Sequence, residues 1–361
     1  MKIKILKVKS EKGNYKAFLE NNPLYPDGKG GQLGDRGKIQ NTNIIFVGKD
    51  YILTDDHIET GELEVELDFK NKKDIEKQHT AQHLLSAILK DEHDLNTVGF
   101  RMSENYSTID IDKRISAKII EDVEAKSNQT IYHNLKVYEK TYSKNETQNL
   151  NLRKDISEKI TDDVRVIYID KLDASACGGF HVNNTLEINM IKIIKTDNIK
   201  NGYMRIYYLA GERVFNYLKE IENITDNLGN ILKTNKEDFT TKVSKIIEEN
   251  DRQKKELETL YSYKAENILS SLEPIKELDD INVFFLEKED DSSEYLQKSF
   301  DKDNFLFILK DDDTFKIQSD VVNVGNLIKN INNKYSTKGG GGQNKGQVKG
   351  NLILEDILQY I

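Results

Sequence analysis

The segment H-T-A-Q-H-L-L-S-A-I-L, residues 79–89, is the most informative stretch of this 361-residue chain. Its apolar residues recur at the spacing of one helical face, which predicts an α-helix. His79 and His83 then lie at positions i and i+4 and project from the same face of that helix. Two imidazoles in this arrangement can bind a single metal ion.

A second pair of metal ligands lies in A-C-G-G-F-H-V, residues 176–182, which contains the only cysteine of the chain. Gly178 and Gly179 allow the tight backbone path that would bring Cys177 and His181 to one ion. Nitrogen and sulfur donors of this kind suit zinc, so the sequence predicts one Zn²⁺ per chain. The predicted ligands are His79, His83, Cys177 and His181.

Neither pair is decisive by itself, because a lone histidine pair on a helix or a lone Cys/His pair is often structural. Their occurrence together favours a shared site. Thr80 follows His79 where the H-E-x-x-H motif has glutamate, which argues against a zinc protease. Three further histidines have no such partners and are predicted to be ordinary surface or packing residues: His57, His93 and His133.

Length and composition favour an intracellular protein of two or three domains. The first ten residues alternate charged and apolar side chains, as in a strand and unlike a signal peptide, and no apolar run reaches transmembrane length. A single cysteine excludes an internal disulfide, and a thiolate ligand persists best in a reducing compartment. We therefore predict a cytoplasmic protein without a membrane partner.

The formal net charge of -9 is unevenly distributed. Between Asp279 and Asp313 there are twelve acidic and four basic residues, which account for most of the excess negative charge. Residues 334–350 carry only basic charges, from Lys334, Lys338, Lys345 and Lys349. This end of the chain is predicted to contact an anionic partner.

The predicted fold class is α+β. Residues 1–70 alternate short β-patterned runs with Gly, Asn and Asp turns, which predicts a small N-terminal β-barrel. Within it, Y-P-D-G-K-G-G-Q-L-G-D-R-G, residues 25–37, contains five glycines, more than a hairpin needs. This segment is either a flexible loop or a place where the backbone closely approaches another group. It is neither a P-loop nor a dinucleotide-binding motif.

Residues 71–211 combine helical patterns, at 75–90 and 115–127, with strand patterns at 107–111, 164–169 and 185–195. They predict an α+β domain that holds the zinc. Residues 212–273 form a charged stretch with an apolar helical stripe, which predicts a helical stalk, and residues 274–361 predict a small C-terminal α/β domain ending in the glycine-lysine segment.

A polar gap at residues 248–256 interrupts the apolar stripe of the stalk. The gap is either the tip of an antiparallel helical hairpin or a solvated coil, because the repeat of a coiled coil is not sustained across it. The stalk or the C-terminal domain could form a homodimer.

The two ligand motifs and the glycine-rich segment, taken together, resemble the editing domain of alanyl-tRNA synthetase and the free-standing alanyl-tRNA editing proteins. They match it in order and spacing. The segment N-G-Y-M-R-I-Y-Y-L-A-G, residues 201–211, which carries Arg205, is similar to the strand that closes that domain. Residues 212–361 resemble the stalk and C-terminal domain of the same synthetase, marked by the glycine run at 339–342.

The resemblance implies an ATP-independent trans-editing hydrolase that removes serine, or alternatively glycine, from mischarged alanine tRNA. The chain starts at the β-barrel with no aminoacylation domain before it, so we expect hydrolysis and not synthesis. Gly30, Gly31 and Gln32 would contact the terminal adenosine or its phosphates through backbone amides, and Asp35 would brace that loop. Further expected substrate contacts are Arg205, Lys338 and Lys345.

The chain departs from the usual motifs of that family at three positions. Phe180 stands where threonine is common, Gln82 stands where threonine often precedes the second histidine, and Leu33 replaces a frequent proline. None of these changes removes a zinc ligand, so they bear on selectivity for the amino acid. Gln82 and Thr97 are the candidates for contacting the substrate hydroxyl.

Two questions stay open at the level of sequence. Four protein ligands make a closed zinc site, whereas activation of water needs an open position. Either His181 binds weakly, or the zinc positions the substrate and water attacks from elsewhere. The alternative function is a non-catalytic tRNA- or RNA-binding protein with a structural zinc. A phosphoesterase is disfavoured because the chain has no D-H-H sequence.

Overall fold

A closed six-stranded barrel forms the N-terminal part of the computed structural model, which describes residues 1–148, 150–153 and 163–361. Its strands are β1 Lys2–Glu11, β2 Asn14–Leu19, β3 Gly37–Ile39, β4 Thr42–Val47, β5 Tyr51–Thr54 and β6 Gly61–Leu67, in the order β1-β2-β5-β4-β3-β6. Alternate residues such as Ile3 and Ile5 point inward and are almost fully buried. The predicted N-terminal β-barrel is confirmed.

The helix that carries the histidine pair, α1 (Phe69–His93), follows the barrel directly. Asp68 caps its first turn by accepting a hydrogen bond from the Asn71 backbone N–H, and Asp94 ends it in the left-handed conformation, with φ of 50°. Leu84 and Leu85 are fully buried in the largest core cluster of the described residues. The helix is thus held rigidly by packing on several sides.

Two sheets surround α1. Their strands and the intervening helices are β7 Thr97–Met102, β8 Ser107–Ile111, α2 Ala117–Tyr132, β9 Val137–Tyr142, α3 Lys144–Thr147, β10 Val164–Ile169, β11 Asp173–Ala176, β12 Ile191–Asn198 and β13 Met204–Ala210. One sheet has the order β12-β13-β8-β7 and the other β11-β10-β9. β11 ends immediately before Cys177, so it delivers the second ligand pair to the helix.

The chain divides into two compact units, Met1–Asp226 and Asn227–Ile361. Two long helices occupy the region around that boundary, α4 (Glu212–Leu232) and α5 (Phe239–Ser271). Among the described residues, no helix has both the length and the apolar character needed to cross a bilayer.

The polar gap predicted at residues 248–256 is neither a hairpin tip nor a coil, because α5 runs through it without a break. Most side chains of the gap favour helices, and Arg252 forms ion pairs with Glu249 and Glu256, three residues before it and four after it. The helical stretch is instead interrupted between α4 and α5, near Lys233, which has a left-handed φ of 51°. The polar side chains at residues 248–256 therefore do not mark the end of a helix.

The second unit contains a six-stranded sheet with helices. Its elements after α5 are β14 Lys276–Leu278, β15 Ile281–Glu287, α6 Ser292–Ser299, β16 Phe305–Asp311, β17 Thr314–Ser319, α7 Val324–Lys334, β18 Lys338–Gly341, β19 Lys345–Lys349 and α8 Leu354–Leu358. The strand order is β14-β15-β16-β17-β19-β18, with β15 and β16 parallel. The glycine run therefore lies mostly in an edge strand.

Candidate metal centre

The four predicted ligands converge in the first unit. His79 and His83 come from α1, and Cys177 and His181 come from the loop after β11. One donor atom from each of the four lies within 4.8 Å of the others. The Cys177 Sγ is 3.4 Å from the Nε2 of His79 and 3.4 Å from the Nε2 of His181.

The donor set and its spacing fit zinc. Bonds of about 2.0–2.3 Å at tetrahedral angles place a nitrogen and a sulfur ligand about 3.5 Å apart. The two sulfur–nitrogen distances of 3.4 Å match that edge. Three imidazole nitrogens with one thiolate are also ligands that zinc commonly takes.

Each of the three imidazoles has a hydrogen-bond acceptor at its Nδ1 atom. The Nδ1 of His79 lies 2.6 Å from the Gln32 Oε1, and the Nδ1 of His83 lies 2.8 Å from the Asp173 Oδ2. These acceptors place the proton on Nδ1 and leave Nε2 free as a metal ligand.

The third imidazole, His181, has a weaker support. Its Nδ1 lies 3.1 Å from the Thr80 Oγ1, and that hydroxyl donates its own proton to the Glu76 carbonyl oxygen. The Thr80 oxygen also accepts a hydrogen bond from the Val182 N–H. His181 is therefore the least restrained of the three imidazoles.

The charges of the cluster favour a buried thiolate. Burial alone would raise the pKa of the Cys177 thiol, but hydrogen bonds with His181, His79 and His83 outweigh it and lower that pKa to about 2. Burial lowers the pKa of His79 and lowers that of His181 to about 3. Burial opposes charge on His83 too, but Asp173 and Cys177 raise its pKa to about 9. A bound divalent cation would supply the same compensating charge.

The glycines next to the ligands are required by close packing. A Cβ on Gly179 would lie 2.2 Å from the His79 Cε1 and 2.4 Å from the Gln32 Oε1. Gly31 has a left-handed φ of 77°, and a Cβ there would lie 2.8 Å from the ring of Phe100. The glycine-rich loop therefore closely approaches the cluster, as one of the two sequence interpretations expected.

Comparisons with known proteins bear on the family. Residues 164–207 match the threonyl and alanyl tRNA synthetase second additional domain. The chain is 31% identical, over 60% of its length, to the alanyl-tRNA editing protein AlaX-L of Pyrococcus horikoshii, and 28% identical, over 64%, to the alanyl-tRNA editing protein Aarsd1 of Bos taurus. It is 27% identical, over 93%, to the alanine–tRNA ligase of Clostridioides difficile. The chain is thus similar both to alanyl-tRNA editing proteins and to an alanine–tRNA ligase. It spans 57%, 54% and 39% of these relatives, respectively.

The candidate selectivity residues lie in one hydrogen-bonded row. The Gln82 Nε2 donates to the Ser86 Oγ at 2.8 Å, and the Ser86 Oγ is 2.8 Å from the Thr97 Oγ1. Ser86 and Thr97 are buried, while Gln82 is half-buried. Ser86 was not predicted, although its position four residues after Gln82 on a helix is a signal that could have identified it.

The remaining predicted substrate contacts are not members of the four-donor cluster. Arg205 on β13 directs two guanidinium nitrogens at Asp110, at 2.7 and 2.8 Å, so its charge is balanced there. Lys338 and Lys345 are exposed and belong to the second unit. Asp35 accepts a hydrogen bond from the Tyr25 backbone N–H at 2.7 Å, a contact within the glycine-rich loop that it was predicted to brace.

The other three histidines keep ordinary roles. His57 packs edge-on against Tyr15, His93 pairs with Asp122 at 2.9 Å, and His133 ends α2. Within the described ranges, none of them joins the four-ligand cluster.

Proposed function

We propose that this chain is a trans-editing hydrolase that cleaves the ester bond of serine, and of glycine, wrongly attached to alanine tRNA, using one Zn²⁺ per chain. The observation that carries the proposal is the convergence of three imidazoles and one thiolate beside the glycine-rich loop, in a chain that is similar to alanyl-tRNA editing proteins. An aminoacyl ester is intrinsically labile, so the enzyme needs mainly to position it and to supply activated water.

A cavity next to the ligand loop has the size of a small-molecule site. It measures about 530 Å³ and is lined by residues that include Tyr25, Lys29, Lys72 and Phe180. The ring of Phe180 lies 4.6 Å from that of Tyr25, and the Lys72 Nζ lies 4.4 Å from the centre of the Phe180 ring. We place the aminoacylated terminal adenosine here, with the aromatic rings against its base and the lysines near its phosphates.

The glycine-rich loop offers fewer backbone donors than its sequence implies. The Gly31 N–H donates to the Gly28 carbonyl and the Gln32 N–H to the Lys29 carbonyl, so both amides are used within the loop. Gly30 and Lys29 are exposed on its outer side. Among the loop residues, these two are the substrate contacts that the geometry favours.

A zinc ion bound to these ligands would polarise the ester carbonyl or acidify a water molecule. The protein would hold His79 and His83 in place through Gln32 and Asp173, whereas the Thr80 hydroxyl restrains His181 at the longer distance of 3.1 Å. His181 is therefore the ligand that we expect to yield most readily when substrate enters. This difference supports a catalytic site that opens at one ligand.

Selectivity for serine would come from the hydrogen-bonded row of Gln82, Ser86 and Thr97. Because the Gln82 amide nitrogen donates to Ser86, its carbonyl oxygen is left to accept a hydrogen bond from the substrate hydroxyl. Alanine would leave that oxygen without a partner, at a cost of about 1–3 kcal/mol. We therefore expect serine to be removed much faster than alanine. An apolar pocket that selects alanine has the opposite preference.

The deciding experiment measures initial rates of deacylation of alanine tRNA charged with serine, glycine or alanine by the purified protein. We expect serine, then glycine, to be released much faster than alanine. Equal rates on the serine and alanine forms would rule out a serine editor.

A second candidate function is a non-catalytic tRNA-binding protein with a structural zinc. The observation in its favour is the complete set of four protein ligands, which is typical of closed structural sites. Tight binding of charged tRNA without any deacylation would establish this alternative.

A further inference from the structure

Among the residues that the structure describes, Gln32 is the only member of the glycine-rich loop (residues 25–37) whose side chain forms a hydrogen bond with one of the four ligands. Gln32 is only 1% exposed. One atom, Oε1, lies 2.6 Å from the His79 Nδ1 and 2.9 Å from the Phe180 backbone nitrogen. Gln32 therefore contacts a ligand on α1, His79, and the backbone of the loop that carries the other two ligands.

The Phe180 backbone N–H determines which way the Gln32 amide faces. A backbone N–H can only donate, so the Gln32 atom that faces it must be the carbonyl oxygen and not the NH₂ group. The same oxygen faces His79 and cannot donate a hydrogen, so His79 must carry its proton on Nδ1. The lone pair of His79 is then on Nε2, the atom that lies 3.4 Å from the Cys177 Sγ.

Close packing leaves this arrangement little freedom. Gly179 has no room for a side chain between Gln32 and His79, and Gly31 lies against Phe100. The Phe100 ring in turn stacks on the His79 ring, with centroids 5.1 Å apart. The loop, the helix and the cysteine loop are thus assembled around one amide oxygen.

We infer that Gln32 is a positioning residue through which the β-barrel fixes the metal centre: its amide oxygen selects the metal-binding tautomer of His79 and links His79 to the backbone of the loop that carries Cys177 and His181. The inference rests on the zinc binding in the proposed function. It assigns Gln32 a role different from contact with the tRNA end, and it makes metal affinity depend on a loop that contributes no ligand.

The test compares zinc affinity, by competition with a chromophoric chelator, in the natural protein and in Gln32→Leu, Gln32→Glu and Gln40→Leu. Gln32→Leu removes the acceptor and should weaken zinc binding by about tenfold to a hundredfold, as outer-sphere changes at metal sites do. Gln32→Glu keeps an acceptor in the same place and should restore most of the affinity. Gln40→Leu makes the same chemical change at an exposed barrel residue and should have no effect.

Cobalt(II) substitution adds a readout that a general loss of stability would not change. In Gln32→Leu, His79 loses its hydrogen-bond acceptor and can rotate, so the visible absorption of the bound cobalt should differ from that of the natural protein. Gln32→Glu keeps an acceptor and should recover the natural spectrum. Unchanged zinc affinity in Gln32→Leu, or equal losses in the Leu and Glu variants, would overturn the inference. A natural protein that binds no zinc would instead overturn the metal assignment of the proposed function.

Discussion

Cys177 is the only thiol of the chain, and it stands in contact distance of two imidazoles. Replacing it with alanine removes the one anionic ligand among the four, so Cys177→Ala is expected to lose zinc and deacylase activity together. Elemental analysis and initial rates on serine-charged alanine tRNA measure the two losses. A variant that is metal-free yet fully active would refute a role for zinc in the reaction.

The two glycines of the ligand loop provide a matched pair of substitutions. A Cβ on Gly179 would collide with His79 and Gln32, whereas a Cβ on Gly178 would meet nothing within 4 Å. Gly179→Ala is therefore expected to displace a ligand and to weaken zinc binding by about tenfold or more, while Gly178→Ala binds zinc normally. Zinc titration of both proteins checks this, and equal affinities would show that the loop adapts.

At the residue level, sequence reasoning identified all four donor atoms but missed the groups behind them. Spacing on a helix and a pair of glycines are local signals, and they were sufficient to propose His79, His83, Cys177 and His181. The Gln32–His79 and Asp173–His83 contacts join residues far apart in the chain. No local pattern reports such pairs, which only the folded arrangement of the barrel and the sheets brings together.

At the scale of elements, predictions succeeded where one face is buried. The strands predicted at 107–111 and 164–169 match β8 and β10, because alternating apolar residues report a half-buried strand. The strand predicted to start at 185 begins at Ile191 instead, since Thr185–Ile188 form a 3₁₀ turn capped by Asn184. The cap residue, and not hydrophobicity, determines that boundary.

The continuity of α5 can be tested at its most polar point. Asp251 lies in the middle of the helix, so Asp251→Pro should remove a backbone hydrogen bond and destabilise the helix locally by about 3 kcal/mol. Circular dichroism should show lower helix content, and amide hydrogen exchange should accelerate at residues 247–256. Asn235→Pro is the control, because Asn235 precedes the helix with a φ of -76° that proline accepts. Unchanged exchange in Asp251→Pro would indicate a coil.

At the scale of the whole molecule, α5 presents apolar side chains without cover. Val243, Ile246, Leu257 and Leu260 are between 42% and 63% exposed. They follow a heptad spacing, with Asn250 and Gln253 at the intervening positions, as in two-stranded coiled coils with a polar layer. The homodimer stays a prediction, and this face is the part of the stalk that we expect to form it.

Light scattering coupled to size-exclusion chromatography tests the predicted homodimer. The natural protein should elute with twice the mass of one chain, and the double variant Leu257→Lys/Leu260→Lys should elute as a monomer, because like charges would face each other across the helix pair. Thr259→Lys adds the same charge off the apolar stripe and should remain dimeric. A monomeric natural protein would exclude this interface.

The second unit is predicted to supply tRNA affinity, separately from the chemistry of the metal centre. Lys338 and Lys345 are exposed and form no ion pair with other described residues, so both ammonium groups can reach phosphates. Each phosphate contact releases about one counterion, so the double variant Lys338→Gln/Lys345→Gln should bind tRNA more weakly, with a salt dependence shallower by about two counterions. Its deacylation rate at saturating tRNA should equal that of the natural protein.

The matched control for these lysines is the double variant Lys276→Gln/Lys329→Gln, which removes the same charge from other exposed positions of the same unit. Binding measured over a range of salt concentrations should then give the natural slope, because a phosphate contact is local whereas net charge acts over the whole surface. Equal slopes for both double variants would show that the unit attracts tRNA only through its overall charge. A reduced rate at saturation in Lys338→Gln/Lys345→Gln would mean that this segment also helps to place the tRNA end at the metal centre.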